Sequence, residues 1–361
     1  MNYAHRLTNL RRAVGHANNC DALVVSDLTN VRYLCGYTGT AGMAVVTREE
    51  AWFITDFRYQ SQAAQQVPDE YSIVIAERGL WREVARLLKK AKAGRIGFEA
   101  EHTSVAMLEE IESLIKPAQA VATRRVVEDL RLRKEEDEIA VIRQAVQIID
   151  ECFEHICGVM KPGMSEREVS DELLQQMRVR GASGASFETI VASGERGALP
   201  HGIASDKKLA AGEMVTIDMG AVFNGYCSDC TRTVSLGKVS REQQKIYETV
   251  WRAQTEAAAA LKPGLSCKAA DAVARKVIDE AGYGTYFGHG LGHGVGLEIH
   301  EQPRLSKLGK GTLKPGMIVT CEPGIYIEGL GGVRIEDMLV ITKDGAETLT
   351  GARKPRKIIA L

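Results

Sequence analysis

Residues 209–233 carry the side chains with the clearest chemical potential, because two carboxylates fall on what reads as one β-hairpin. Residues 214–222 are a short apolar run interrupted by Asp218, and extended character resumes at residues 226–235, next to Asp229. Between the runs stands Asn224-Gly225, the dipeptide favoured at the two positive-φ positions of a two-residue turn. Pairing Phe223 with Tyr226 sets Asp218 opposite Thr231 and Asp229 opposite Gly220. The two acids then become diagonal neighbours on one sheet face. Like charges held this way repel unless a cation lies between them, and the expected cation is a metal ion.

A repeat multiplies this feature. Leu209-Ala-Ala-Gly-Glu-Met-Val-Thr-Ile-Asp-Met-Gly220 aligns without gaps to Leu313-Lys-Pro-Gly-Met-Ile-Val-Thr-Cys-Glu-Pro-Gly324, 104 positions on, so that Asp218 falls on Glu322. Allowing a small insertion, Asp229 falls near Glu336, and His201 near His300. Lys161-Pro-Gly-Met-Ser165 likewise recurs as Lys262-Pro-Gly-Leu-Ser266. Two copies are too few for a solenoid and point to a closed pseudo-twofold domain of helices and hairpins.

Nitrogen donors come from Phe287-Gly-His-Gly-Leu-Gly-His-Gly-Val-Gly296, which presents His289 and His293 among glycines that permit close backbone approach. The spacing fits neither a dinucleotide fingerprint nor a zincin helix. Oxygen donors with one imidazole suit Mn, Co, Fe or Zn. Carboxylates able to bridge favour two ions roughly 3.5–4 Å apart. Such a pair activates a bridging water and polarises a carbonyl, which makes amide hydrolysis the expected reaction class.

The elements that must position these groups are legible around them. Residues 134–160 form the strongest helix, with Ile139, Ile142, Val146, Ile149, Phe153, Ile156 and Met160 in one apolar stripe. Glu135-Glu136-Asp137-Glu138 suits its positive end. Ser165 with Glu168 makes a capping box for a second helix reaching about Arg180. Ahead of these, residues 22–25, 43–46, 51–55 and 95–98 read as strands, and residues 81–92 and 104–115 as helices. The bland reading of Asp56 and Arg58 is an ion pair at a strand end. The composition shift at 123–133 divides the chain into domains of residues 1–125 and 126–361.

Composition sets limits. At 361 residues and 45% hydrophobic content the chain can bury a sizeable core. A formal net charge of −1 gives no electrostatic case for nucleic acid or an anionic membrane. No apolar run reaches the roughly 18 residues of a membrane span. The first residues lack the apolar segment of a signal peptide, so the expected location is cytoplasmic. The eight cysteines are scattered rather than framed for disulfides. Cys227 and Cys230, three apart on a strand, point to opposite faces and read as core.

Asp218 in Thr-Ile-Asp-Met-Gly, Asp229 in Cys-Ser-Asp-Cys-Thr-Arg-Thr, His293 in Gly-His-Gly-Leu-Gly-His-Gly, Glu322 in Cys-Glu-Pro-Gly and Glu336 in Val-Arg-Ile-Glu-Asp together resemble the pita-bread metallopeptidase family. That family includes methionine aminopeptidases, Xaa-Pro aminopeptidases and prolidases. Asn30-Val-Arg-Tyr-Leu-Cys-Gly-Tyr-Thr-Gly39 and Asp56-Phe-Arg-Tyr59 resemble the creatinase-type N-terminal domain of its proline-specific branch. The resemblance implies an α/β fold with a creatinase-like N-terminal domain, followed by a pseudo-twofold pita-bread domain around a curved antiparallel sheet.

It further implies two divalent ions per chain, Asp218 on one, His293 and Glu322 on the other, with Asp229 and Glu336 bridging. Glu322 would move the nucleophile's proton, while His201 contacts the scissile amide or its developing charge. His289 and His300 would line the substrate site, His300 also serving catalysis. Arg334 would orient ligands or substrate, and Phe187 and Tyr226 are further pocket candidates. Cys230 and Cys321, beside ligands, point away into the core. The implied activity is a dimetal Xaa-Pro aminopeptidase acting on peptides as a homodimer through a metal-bridging hydroxide. The alternatives are an Xaa-Pro dipeptidase (prolidase), a metal-free creatinase-type hydrolase, or a non-catalytic binding protein of this fold.

Overall fold

A computed structural model describes residues 1–17 and 19–361. The chain forms two compact units, Met1–Arg131 and Leu132–Leu361. In the first, β1 (Ala22–Val25), β2 (Met43–Thr47), β3 (Ala51–Asp56), β4 (Ser72–Ala76), β5 (Arg95–Glu99) and β6 (Gln119–Thr123) make one mixed sheet ordered β4-β3-β2-β1-β5-β6. β1 and β2 are buried at every residue, so they read as unbroken apolar runs rather than alternating ones.

The helices are α1 (Tyr3–Ala17), α2 (Leu28–Cys35), α3 (Gln60–Gln66), α4 (Leu80–Lys90), α5 (Val105–Ile115) and α6 (Val126–Arg131). The expected strands and the two expected helices are present. The sequence reading missed α1, α2, α3, α6, β4 and β6. α2 overlaps the start of the Asn30–Gly39 motif, capped by Asp27 and ended by Gly36 at φ 72°. Arg58 and Asp56 form the expected exposed ion pair at 2.8 Å. α6 belongs to the first unit, because its buried Arg131 donates to Asn30 Oδ1 at 2.8 Å.

The second unit opens with α7 (Glu136–Val159) and α8 (Glu166–Val179) and later repeats the plan with α9 (Arg241–Ala260) and α10 (Cys267–Glu280). Every residue of the predicted α7 stripe is buried. Ser165 and Glu168 form the expected capping box. The strands after α8 are β7 (Gly184–Ala185), β8 (Ile190–Ser193), β9 (Met214–Met219), β10 (Ala221–Phe223), β11 (Tyr226–Cys227) and β12 (Cys230–Ser235). Those after α10 are β13 (Gly292–Gly294), β14 (Glu301–Leu305), β15 (Ile318–Cys321), β16 (Gly324–Ile327), β17 (Gly331–Arg334), β18 (Asp337–Ile341), β19 (Ala346–Thr348) and β20 (Ile359–Ala360). They assemble as β20-β12-β9-β8 and β14-β13-β15-β18-β19, with the smaller ribbons β11-β10-β7 and β16-β17. Pairing is antiparallel except between β12 and β20.

The two halves share local wiring as well as order. Gly163 N donates to Leu209 O and Leu209 N to Met164 O, and 101–104 positions on, Gly264 N donates to Leu313 O and Leu313 N to Leu265 O. The first hairpin has the expected register, with Phe223 opposite Tyr226 and Asp218 opposite Thr231. Asn224 and Gly225 take φ 47° and 79°, as a type I′ turn requires. All eight cysteines are buried, and Cys227 and Cys230 face different apolar clusters, so they cannot chelate together.

Candidate active site

A cavity of about 590 Å³ in the second unit gathers ten of the eleven residues predicted for the site: Phe187, His201, Asp218, Asp229, His289, His293, His300, Glu322, Arg334 and Glu336. Its size lies in the range of small-molecule sites. Asp218 comes from β9, Asp229 from the turn into β12, His293 from β13, Glu322 from the end of β15, and Glu336 from the β17–β18 link. Both halves of the repeat therefore feed one cage. Tyr226 is not at the cavity. Its hydroxyl donates to Glu138 in the core, because its place opposite Phe223 turns it toward α7.

One expectation about the repeat needs correction. Cys321 pairs with Asp337 and Gly324 with Arg334, which sets Glu322 directly opposite Glu336. In the first hairpin the residue opposite Asp218 is Thr231. Glu336 therefore holds Thr231's place in the hairpin, not that of Asp229. The two equivalent positions meet: Thr231 Oγ1 donates to Glu336 Oε2 at 2.7 Å, and Glu336 N donates to Thr231 O at 3.0 Å.

The cage is short of positive charge. His293 Nε2 lies 3.3 Å from Glu322 Oε1 and 3.5 Å from Asp229 Oδ2. Asp229, His293 and Glu336 each offer a ligand atom within 4.8 Å of the others. Arg334 Nη2 donates to Asp218 Oδ2 at 2.6 Å, while Asp218 Oδ1 is buried with no hydrogen-bond partner among the described residues. Two carboxylates about 4 Å apart repel by roughly 4 kcal/mol even at an effective dielectric near 20, and one guanidinium cannot cover four. Burial pushes the Asp229 carboxyl well above its usual range, with Glu336 and Asp218 adding to the rise. Glu336 is raised in the same way, by burial and then by Glu322 and Asp218. Asp218 is raised by burial against the pull of Arg334. Glu322 alone goes down, because hydrogen bonding to His293 overcomes burial. An orphaned carboxylate oxygen and acids that resist ionisation are what a cation-binding cage shows without its cation. The donor set of four carboxylates and an imidazole fits a hard or borderline divalent ion.

Hydrogen bonds hold the donors in place. Thr320 Oγ1 donates to Glu322 Oε1 at 3.1 Å and accepts from His293 N at 3.0 Å. His289 Nε2 meets the Tyr326 hydroxyl at 2.9 Å, and Arg334 Nη1 donates to the same oxygen at 2.9 Å. Buried Asp271 on α10 binds Arg275 through both oxygens, and Arg275 donates to the carbonyls of Phe287 and His289. The glycine-rich histidine loop is thereby fixed to a helix. Burial lowers His289 and His300, and the ring of His300 lies 4.5 Å from that of His293. The sequence reading missed Tyr326, Thr320, Thr231 and Arg304. Tyr326 follows Glu322 by four residues on the repeated hairpin, which was a usable signal. Arg304 lines the cavity from β14 opposite His293, and nothing local marks it.

Comparison with known proteins agrees with this geometry. Residues 140–343 match metallopeptidase family M24, and residues 6–133 match the Creatinase/Prolidase N-terminal domain. The chain is 44% identical to an Xaa-Pro dipeptidase structure from Bacillus anthracis, with a TM-score of 0.97 and 100% of both chains covered. It is 39% identical to the Xaa-Pro dipeptidase of Pyrococcus furiosus over 92% of this chain and 94% of that one. It is 36% identical to an X-Pro aminopeptidase structure from Thermotoga maritima, with a TM-score of 0.90 and 97% and 100% covered. These names favour the dipeptidase alternative over the aminopeptidase reading placed first from sequence. Matched over both units and by relatives of its full length, this chain belongs to metallopeptidase family M24 and is a metallopeptidase with a creatinase/prolidase N-terminal domain.

Proposed function

We propose that the protein is an Xaa-Pro dipeptidase. The observation that carries this reading is Arg304. It lines the cavity and, among the described residues, is the one cavity cation besides Arg334, which is committed to Asp218. Among the described residues no carboxylate is paired with Arg304, so it is available to take the terminal carboxylate that a dipeptide presents beside its scissile bond. A longer peptide has an amide there. The proline ring, whose nitrogen brings no N–H, fits the apolar wall of Phe187, Ile190 and Ile203.

Asp218, Asp229, His293, Glu322 and Glu336 would hold two divalent ions, Mn, Co, Zn or Fe. When bound, the ions supply a water acidified toward neutral pH and Lewis-acid polarisation of the scissile carbonyl. Glu322 takes the nucleophile's proton and returns it to the leaving proline nitrogen. His201 donates to the carbonyl oxygen as charge develops there. His289 and His300 flank the substrate, and Arg334 keeps Asp218 oriented. The intact five-residue donor set supports this over a metal-free hydrolase or a binding protein. Homodimerisation and a cytoplasmic location belong to the same reading, and light scattering tests the former.

Metal-loaded protein should cleave Xaa-Pro much faster than Xaa-Pro-Yaa and leave Met-Ala-Yaa intact. Equal or faster cleavage of Xaa-Pro-Yaa would return the assignment to an aminopeptidase. Cleavage of none of the three would remove the proline-peptidase reading.

A further inference from the structure

The segment between β8 and β9 carries His201 and Ile203 to the cavity, and a buried charge anchors it from behind. Glu166, the first residue of α8, is fully buried, yet its carboxylate accepts from Ser193 N and Oγ (both 2.8 Å) and from Ser205 N and Oγ (3.1 and 2.6 Å). Its charge partner is Arg196, in the 3-10 turn Gly194–Ala198. The other arm of the same guanidinium donates to the carbonyl of Ile203 at 2.9 Å. Ser193 is the last residue of β8 and Ser205 lies four residues beyond His201, Arg196 rises from the start of the segment, and Ile203 lies just past His201.

Arg196 thus spans the loop. One arm is fixed to a helix terminus and the other holds the backbone two residues beyond His201. The front of the loop is held too, since Arg334 Nη1 donates to Pro200 O at 3.1 Å. The glycine seam of Gly197 against Gly332 brings the loop backbone onto β17, and a Cβ on Gly332 would lie 2.1 Å from Gly197 O. Lys207 ties Ser193 Oγ to Glu213, so the anchor is itself braced. His201 is exposed at the cavity wall, and no hydrogen bond of its side chain fixes it among the described residues. Its position is therefore set through the backbone on either side.

We propose that Arg196 is a positioning residue: by linking buried Glu166 to the Ile203 carbonyl, it fixes where His201 meets the substrate. The inference rests on the peptidase reading of the cavity. Lysine at 196 keeps a positive charge for Glu166 but cannot reach both partners, so Arg196→Lys separates the fold from the clamp. The expected result is an unchanged melting temperature and metal content, with kcat/KM on Xaa-Pro down about tenfold. In a His201→Ala background the same substitution should change kcat/KM by less than twofold, since its effect passes through His201.

Hydrogen exchange gives a readout independent of turnover. Backbone amides of residues 199–203 should exchange faster in Arg196→Lys, while those of β9 stay as in the wild type. An equal loss of kcat/KM with and without His201, or unchanged exchange at 199–203, overturns the proposal. A lowered melting temperature with uniformly faster exchange shows a structural role only and also overturns it. Wild-type protein inert on all proline peptides defeats the peptidase reading instead, and the exchange comparison still decides the clamp.

Discussion

The two hairpins of the peptidase unit follow one plan but place their acids differently. In the first, Asp218 stands opposite Thr231, and the second acid, Asp229, lies with Ser228 in the gap between the paired stretches β11 and β12. In the second, Glu322 and Glu336 stand opposite each other. The surrounding wiring is shared, down to Gly212 and Gly316, each in a left-handed conformation and each bonded to the partner strand, at Leu236 and Ile341. Duplication therefore explains the scaffold, while the ligand set departs from it at one place. Where the first half keeps a threonine, the second carries a carboxylate, and the threonine hydroxyl binds that carboxylate. Exact symmetry would have put two acids face to face with no hydroxyl between them.

The flanks differ as well. β14 extends the second half with a full strand that bears Arg304, whereas the first half has in that place only the single bridge of Ile190 with Ile203. The first half instead carries the loop that presents His201.

The largest effect expected from this comparison follows loss of the acid outside the symmetric register. Asp229→Ala should lower kcat/KM by at least about 10³-fold, since metal chemistry supplies several kcal/mol of transition-state stabilisation. It should also lose most bound metal, and retained activity with bound metal would show that the donors are assigned wrongly. Arg304→Gln comes next. A charge-assisted hydrogen bond to a carboxylate is worth about 1.5–3 kcal/mol, and exposure of Arg304 puts the effect at the low end. KM for Xaa-Pro should rise about tenfold with kcat little changed and Xaa-Pro-Yaa unaffected; a parallel change for both peptides would place Arg304 elsewhere.

Thr231→Val probes the one position where the halves part. It keeps the shape, removes the hydroxyl that Arg334 Nε also reaches at 3.0 Å, and should cost about tenfold in kcat/KM or in metal affinity. Wild-type kinetics and affinity would make the Thr231–Glu336 contact incidental.

The smallest expected effect concerns the helices. α8 has the full capping box, whereas α10 has Ser266 but Ala269 where the acid would stand. Glu168 is held at about 2 by hydrogen bonds from the Ser165 backbone and then Lys208. A depressed carboxyl adds stability above its unfolded value and loses it as pH falls through the folded one. The melting-temperature gap between wild type and Glu168→Gln should be present at pH 6 and close between pH 4.5 and about 2. A gap that widens on acidification would reverse the assigned sign.

Much of the site was legible because its residues sit in locally marked sequence: an Asn-Gly turn, a gapless repeat and a histidine pair among glycines. Arg304 and Arg196 were not legible. Each acts across a distance in sequence, one on a strand whose only mark is its register with His293, the other through a glutamate 30 residues away. In the first unit, α2 was hidden because it is only eight residues long and ends at Gly36, inside a glycine-containing motif. The error over Glu336 has the same root. An insertion can be absorbed anywhere in an alignment, but strand pairing permits one register.

The most direct test of a single cage fed by both halves is metal stoichiometry, by equilibrium dialysis and elemental analysis, beside activity on Xaa-Pro. Wild type should bind about two divalent ions per chain. Asp218→Asn and Glu322→Gln, one acid from each hairpin, should each leave about one ion and little activity. Full activity with no bound metal, or either variant still holding two ions, would contradict the account.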